Sequence, residues 1–420
     1  MDTCIAMSAR YTTADNIPLT EEILFPALRI LIEAHPLLGV RLDGKLDSSD
    51  IAFCRLSSVE LSRVVDFSEN DNLQLALEKW FTRRFEDSLE DMPLWRVEVL
   101  SDNTVIFAMH HAMADGISLM TFHSSLIRAL QESVSLPTHS LSSVTVPDRP
   151  IAPPVEVAID VRPSMWKIIS VLYQAFVPRY WNRATYAWTG NPTPPVAALD
   201  THVHLLVFKP SDAGRFLNLC RTHNATISSA LHELAVAILS RLIIKSADAA
   251  KYKTICLAFP LSLRDAAGAP PDLFCYYSSS FDAYRPLKPD FSWARAASVA
   301  TELKVEKAKA HEILGFMSWL ARDFAGLMKG LLGTKRLQGL RISNPGRFVA
   351  PTEVEGKWRI GDLFFGQCDS VVGAAMTMNV IGDPAGGLNL TFAWGEKSID
   401  RAFADDFISM FQEAFIDLVA

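Results

Sequence analysis

The chain has 420 residues, 49% apolar and 21% charged, enough for two or three domains at about 150 residues each. This composition excludes a disordered, collagenous or coiled-coil chain and predicts a folded, soluble protein. Forty Lys and Arg against forty-seven Asp and Glu give a formal charge of −7 with no run of five like charges, which argues against a phosphate-tracking nucleic-acid protein.

The six cysteines (Cys4, Cys54, Cys220, Cys256, Cys275, Cys368) are scattered without a CxxC pair, so they read as reduced packing residues rather than a zinc site or a disulfide framework. The amino-terminal stretch MDTCIAMSARYTT lacks the basic segment and apolar core of a signal peptide, and a cytoplasmic chain is expected. The longest apolar stretch, Ile227 to Ile244, contains His232, Glu233 and Arg241, so no membrane span is expected.

After an apolar segment around Cys4 to Tyr11, Thr20 to Ala34 carries apolar residues at helical spacing, with Thr20 as its cap. His35-Pro36 ends that helix, because a residue before proline is pushed out of the α region. A second amphipathic helix fits Leu73 to Phe85. Leu94 to Leu100 and Thr104 to Met109 form a hairpin over Ser101-Asp102-Asn103, and a helix follows from Gly116.

Ten prolines between Leu136 and Pro195 mark a crossing segment. A helix from Ser164 to Tyr180 interrupts it and is expected to pack on the body. The second half predicts a strand at His202 to Phe208 and a helix capped by Ser211. A long helix at Thr226 to Ile244 and a strand at Tyr252 to Leu263 come next. Helices from Trp293 to Met328, strands at Ala374 to Ile381 and Leu388 to Phe392, and a closing helix from Asp400 to Leu418 complete the chain. Strands and helices mix in both halves, which predicts a two-lobed α/β architecture. Residues 1–136 form one lobe, 137–200 a proline-rich crossover and 201–420 the other lobe.

The informative motif is His110-His111-Ala112-Met113-Ala114-Asp115-Gly116, on a strand-to-helix turn that Gly116 can tighten. An imidazole held there, with an ordinary pKa of about 6.5, is mostly neutral near pH 7 and able to accept a proton. The motif resembles the HHxxxDG signature of the chloramphenicol acetyltransferase-like superfamily, which includes peptide-synthetase condensation domains, BAHD acyltransferases and alcohol acetyltransferases. AHPLLGVRL (34–42), PLWRVEVL (93–100), ATISSALHELAVAIL (225–239), PLSLRD (260–265) and ISNPGRF (342–348) resemble the superfamily in the same order.

The resemblance implies two lobes, each a mixed sheet with flanking helices, and an active-site tunnel between them. It implies His111 as general base and Asp115 as a structural residue paired with Arg264 of the other lobe. His110 and Gly116 then support the turn, and Asn344 lies near the tunnel. Trp394-Gly395 matches only the end of the BAHD motif DFGWG, and no role is carried over to it.

Metal ligation by His111 and Asp115 would need a helix in place of the turn and a third ligand that the sequence does not indicate. No GxSxG, GxxxxGK[ST] or GxGxxG occurs, which disfavours an acyl-enzyme, a kinase and a dehydrogenase. The expectation is an acyltransferase of secondary metabolism, monomeric and without a permanent cofactor. It moves an acyl group from acyl-CoA to a hydroxyl of a small apolar metabolite. The alternatives are an acyl carrier protein as donor, a non-catalytic condensation-like binding module, and a lyase or cyclase that reuses the same base.

Overall fold

The computed structural model describes residues 3–44, 51–83, 85, 91–132, 142–177, 182–320, 324–351 and 357–420. Two mixed sheets organise them. The first runs Arg359–Gln367, Cys4–Thr12, Thr104–His110, Trp95–Val99 and Val65–Phe67. The apolar segment near the amino terminus is thus a near-central strand, antiparallel to both neighbours. Helices Glu21–Ala34 and Gly116–Glu132 pack on one face, where Phe107 stacks on Phe122 with ring centroids 3.7 Å apart.

The second sheet runs Thr201–Phe208, Leu388–Gly395, Met376–Gly382, Leu340–Arg347, Thr254–Ser262 and Ser278–Pro286, with Ala187–Trp188 also pairing with Thr254–Ser262. Its core is covered by helices Ile227–Lys245 and Arg401–Val419. Among the described residues Ile227–Lys245 is the one helix long and apolar enough to cross a membrane, and it is a largely buried core helix. Thr226 and Ser229 start it with a reciprocal capping box.

Several expected elements shift. Thr20 makes no side-chain cap bond. The second helix ends at Thr82, and Phe85 is buried beyond it. Pro210, rather than Ser211, opens its helix from the first position, where the missing N–H costs nothing. The expected run Trp293 to Met328 is three helices, Trp293–Lys309, His311–Leu320 and Phe324–Gly330, with residues 321–323 outside the described ones. The crossover helix spans Met165–Phe176, and residues 178–181 lie outside the described ones. It packs against helix His311–Leu320 through the side carrying Lys167, Ile168 and Val171 and turns its apolar stripe to solvent.

Strand Arg359–Gln367 departs from the division at residue 200, because it comes from the second half of the chain yet pairs with Cys4–Thr12 in the first sheet. Gln367 Nε2 donates to Asn379 Oδ1 at 2.7 Å, and Asn389 Nδ2 donates to the Leu363 carbonyl at 2.7 Å. These bonds tie the first sheet's edge to the second sheet.

Candidate active site

The segment His110–Gly116 lies where strand Thr104–His110 hands over to helix Gly116–Glu132. Every residue of the strand is buried. The helix begins here because Asp115 Oδ1 accepts the backbone N–H groups of Ile117 and Ser118, each at 3.1 Å. Those are two of the donors that a helix leaves unpaired at its start. The His111 N–H bonds the Thr3 carbonyl at 2.7 Å and the Met113 N–H bonds the His110 carbonyl at 3.0 Å, which closes the turn.

The two histidines are held in opposite tautomers. His111 Nδ1 lies 3.0 Å from the Ala114 carbonyl oxygen. A carbonyl can only accept, so Nδ1 carries the proton and Nε2 of the neutral ring keeps its lone pair. His110 Nδ1 instead accepts the Ala112 N–H at 3.1 Å, while its buried ring meets Phe85 edge to face.

Burial pushes the His111 pKa below its ordinary value. The bond to Ala114 and the Asp115 charge work against that shift, and the Arg341 charge works with it. The ring is therefore neutral near pH 7, with a lone pair available.

Asp115 and Arg264 meet across the lobes. Arg264, just past strand Thr254–Ser262, sends Nε to Asp115 Oδ2 at 3.0 Å and Nη2 to Oδ1 at 2.8 Å. Its remaining donors reach the Leu273 carbonyl at 2.8 Å, Ser118 Oγ at 2.8 Å and the Cys275 carbonyl at 3.3 Å. Both side chains are buried. This bidentate geometry is the one in which a guanidinium and a carboxylate fit best.

Gly116 acts differently from the sequence expectation. It is the first residue of the helix and is not among the positive-φ glycines, so conformational freedom does not explain it. A Cβ at this position would stand 3.2 Å from Phe365 Cζ, so the glycine allows strand Arg359–Gln367 to approach the helix. Asn344 lies in a bulge of strand Leu340–Arg347, between Ser343 and Gly346. Its Nδ2 donates to Ser228 Oγ at 3.0 Å and its Oδ1 accepts the Gly346 N–H at 2.9 Å. The φ of +109° at Gly346 does require glycine. Among the described residues no hydrogen bond joins Asn344 to the His110–Gly116 turn.

Two neighbours escaped sequence reasoning. Tyr276 sets its ring edge-on to His111, centroids 5.2 Å apart. Arg341 shares a register row with Ala258 and Thr377, while Leu340 and Ile342 enter the second core. Strand alternation therefore sends Arg341 to the opposite face, where its charge acts on His111 and Tyr276. One arginine in an alternating strand gives no signal in sequence.

Among the described residues no group of three or more His, Cys, Asp or Glu side chains could hold a metal ion. A separate cavity of about 420 Å³ lies between helices Glu21–Ala34 and Gly116–Glu132 and the segment 270–274. None of the motif residues His110 to Gly116 lines it.

The sequence profile of the alcohol acetyltransferase family matches residues 66–264 and 274–415. A probable alcohol acetyltransferase of Aspergillus fumigatus, crmB, is 22% identical over 383 residues, covering 82% of this chain and 77% of its own. The trichothecene 15-O-acetyltransferase of Fusarium sporotrichioides shares the fold with a TM-score of 0.66 and 14% identity, over 99% of this chain and 90% of its own. Polyketide synthase associated protein 5 from Mycobacterium tuberculosis shares it with a TM-score of 0.62 and 15% identity, over 99% and 95%. Such low identities speak for the two-lobed fold alone.

Proposed function

The chain belongs to the alcohol acetyltransferase family, and from that premise we propose that it moves an acyl group from acyl-CoA to a hydroxyl of a small apolar molecule, with His111 as the general base. One observation carries the assignment of the base. The Nδ1–H of His111 is committed to the Ala114 carbonyl, so Nε2 is the nitrogen left to receive a proton.

In this reading Nε2 takes the acceptor's hydroxyl proton as the oxygen attacks the thioester carbonyl. The tetrahedral oxyanion collapses, the C–S bond breaks, and the imidazolium returns the proton to the CoA thiolate. General-base assistance of this kind is worth about 10² to 10⁴ in rate. Asp115 and Arg264 are positioning residues: they hold the turn whose Ala114 carbonyl orients the ring. His110 serves the same turn, Gly116 makes room for strand Arg359–Gln367 beside the helix, and Asn344 ties strand Leu340–Arg347 to helix Ile227–Lys245.

The alternative donor is an acyl group carried on an acyl carrier protein. Calorimetry with CoA and acetyl-CoA separates the two. One micromolar site per chain supports the CoA donor, and no binding at millimolar ligand overturns it in favour of the carrier.

A further inference from the structure

The crossover helix Met165–Phe176 exposes six apolar side chains: Met165, Trp166, Ile169, Leu172, Tyr173 and Phe176, with Trp166 81% and Phe176 82% exposed. Positions i, i+1, i+4, i+7, i+8 and i+11 form one stripe along the helix. A surface helix ordinarily turns such a stripe inward. Here the opposite side is the half-buried one, with Lys167, Ile168 and Val171, and helix His311–Leu320 packs against this helix. Single exposed apolar residues are ordinary, whereas a contiguous row marks a surface that meets something.

The surrounding charge says what that something is. From Asp160 to Leu199 the sequence carries Arg162, Lys167, Arg179 and Arg183 against the single acid Asp160, within a protein of formal charge −7. Arg162 pairs with Asp160 and Lys167 lies inward toward Asp282, which leaves Arg179 and Arg183 as the excess positive charge of the stretch. Trp and Tyr on the stripe suit the headgroup level of a bilayer, where one end of the ring is dry and the other wet. An apolar aromatic helix in a cationic stretch of an acidic chain is complementary to an anionic lipid surface.

We propose that helix Met165–Phe176 seats the protein on anionic phospholipid membranes, lying in the plane of the interface with its apolar stripe among the headgroups and without spanning the bilayer. Lys167, on the inner side, bears on Asp282. Asp282 pairs in register with Ala258, which neighbours Arg341, so the helix borders the face that carries the candidate site. If the acyltransferase reading holds, an apolar acceptor dissolved in lipid would arrive at this rim.

The test is flotation of the full chain with phosphatidylcholine vesicles, with and without phosphatidylserine, and it needs no substrate. Binding is expected to the anionic vesicles, to weaken with salt, and to fall about tenfold or more in Trp166→Glu/Phe176→Glu, with the thermal unfolding midpoint unchanged. If that variant does not fold, Trp166→Phe serves instead: it should keep binding while losing the fluorescence quenched by brominated lipid. Absence of flotation, flotation unaffected by the double substitution, or a micromolar dimer that the double substitution dissociates would overturn the proposal. The last outcome would assign the stripe to a second copy of the chain.

Discussion

Arg264 grips both carboxylate oxygens of Asp115, at 3.0 and 2.8 Å, across 149 residues of chain. The same carboxylate caps helix Gly116–Glu132 through Ile117 and Ser118 and accepts the Tyr277 N–H at 3.3 Å. One buried pair therefore joins the turn that carries His111 to the start of its helix and to the other lobe.

Removing Arg264 leaves a buried carboxylate without its counter-charge, so Arg264→Ala should lose about 3–5 kcal/mol of stability in urea unfolding. Arg264→Lys should recover only part of this, because an ammonium cannot reproduce the two-pronged contact. Asp115→Asn keeps an acceptor for the helix cap and should be milder than Asp115→Ala.

His123 makes a separate, pH-dependent prediction. Its Nε2 donates to the Met7 carbonyl at 3.0 Å, so its Nδ1 accepts the Tyr11 hydroxyl at 2.9 Å. Burial pulls this imidazole down to about 4, whereas an unfolded chain protonates near 6.5. The unfolded state binds the extra proton as pH falls, so the neutral ring costs no stability above about 6.5, an increasing amount down to about 4, and a constant amount below that. The total is ~3 kcal/mol. Urea midpoints measured across this window should fall with pH in the wild type and fall less steeply in His123→Gln, the buried His111 and His232 keeping a slope of the same sign.

Gly116 and Phe365 should be coupled. A methyl at Gly116 favours the helix by about 1 kcal/mol but stands 3.2 Å from the Phe365 ring, tighter than an ordinary contact. Gly116→Ala is expected to destabilise the wild type, and Phe365→Leu to relieve part of that loss, with a coupling of about 0.5 kcal/mol or more in a double-mutant cycle. Additive effects would contradict the close-approach explanation.

Local patterns carried much of the fold. A short strand-like apolar run marked Thr104–Met109 and helical spacing marked the helix from Gly116, because both are written in adjacent residues. Strand Arg359–Gln367 was invisible, since its place beside Cys4–Thr12 depends on a pairing across most of the chain. Arg264 was singled out through resemblance alone, because no spacing rule links positions 115 and 264. Tyr276 and Arg341 escaped for the same reason: what distinguishes them is the neighbour they meet, and that neighbour lies far away in sequence. The crossover helix was recognised as a helix, but periodicity says only that a stripe exists and leaves open which way it faces.

The central claim is that Nε2 of His111 takes the acceptor's proton. Its most direct test is CoA-thiol release from acetyl-CoA with a panel of apolar alcohols, comparing wild type with His111→Ala at matched folding and CoA affinity. A fall in kcat/KM of about 10² to 10⁴ is expected in the variant. A wild-type acid limb centred below 6.5 is also expected, because burial lowers the His111 pKa and the rate rises with pH as the ring loses its proton. A His111→Ala variant that turns over acetyl-CoA with the same alcohols at the wild-type rate would contradict that role for His111.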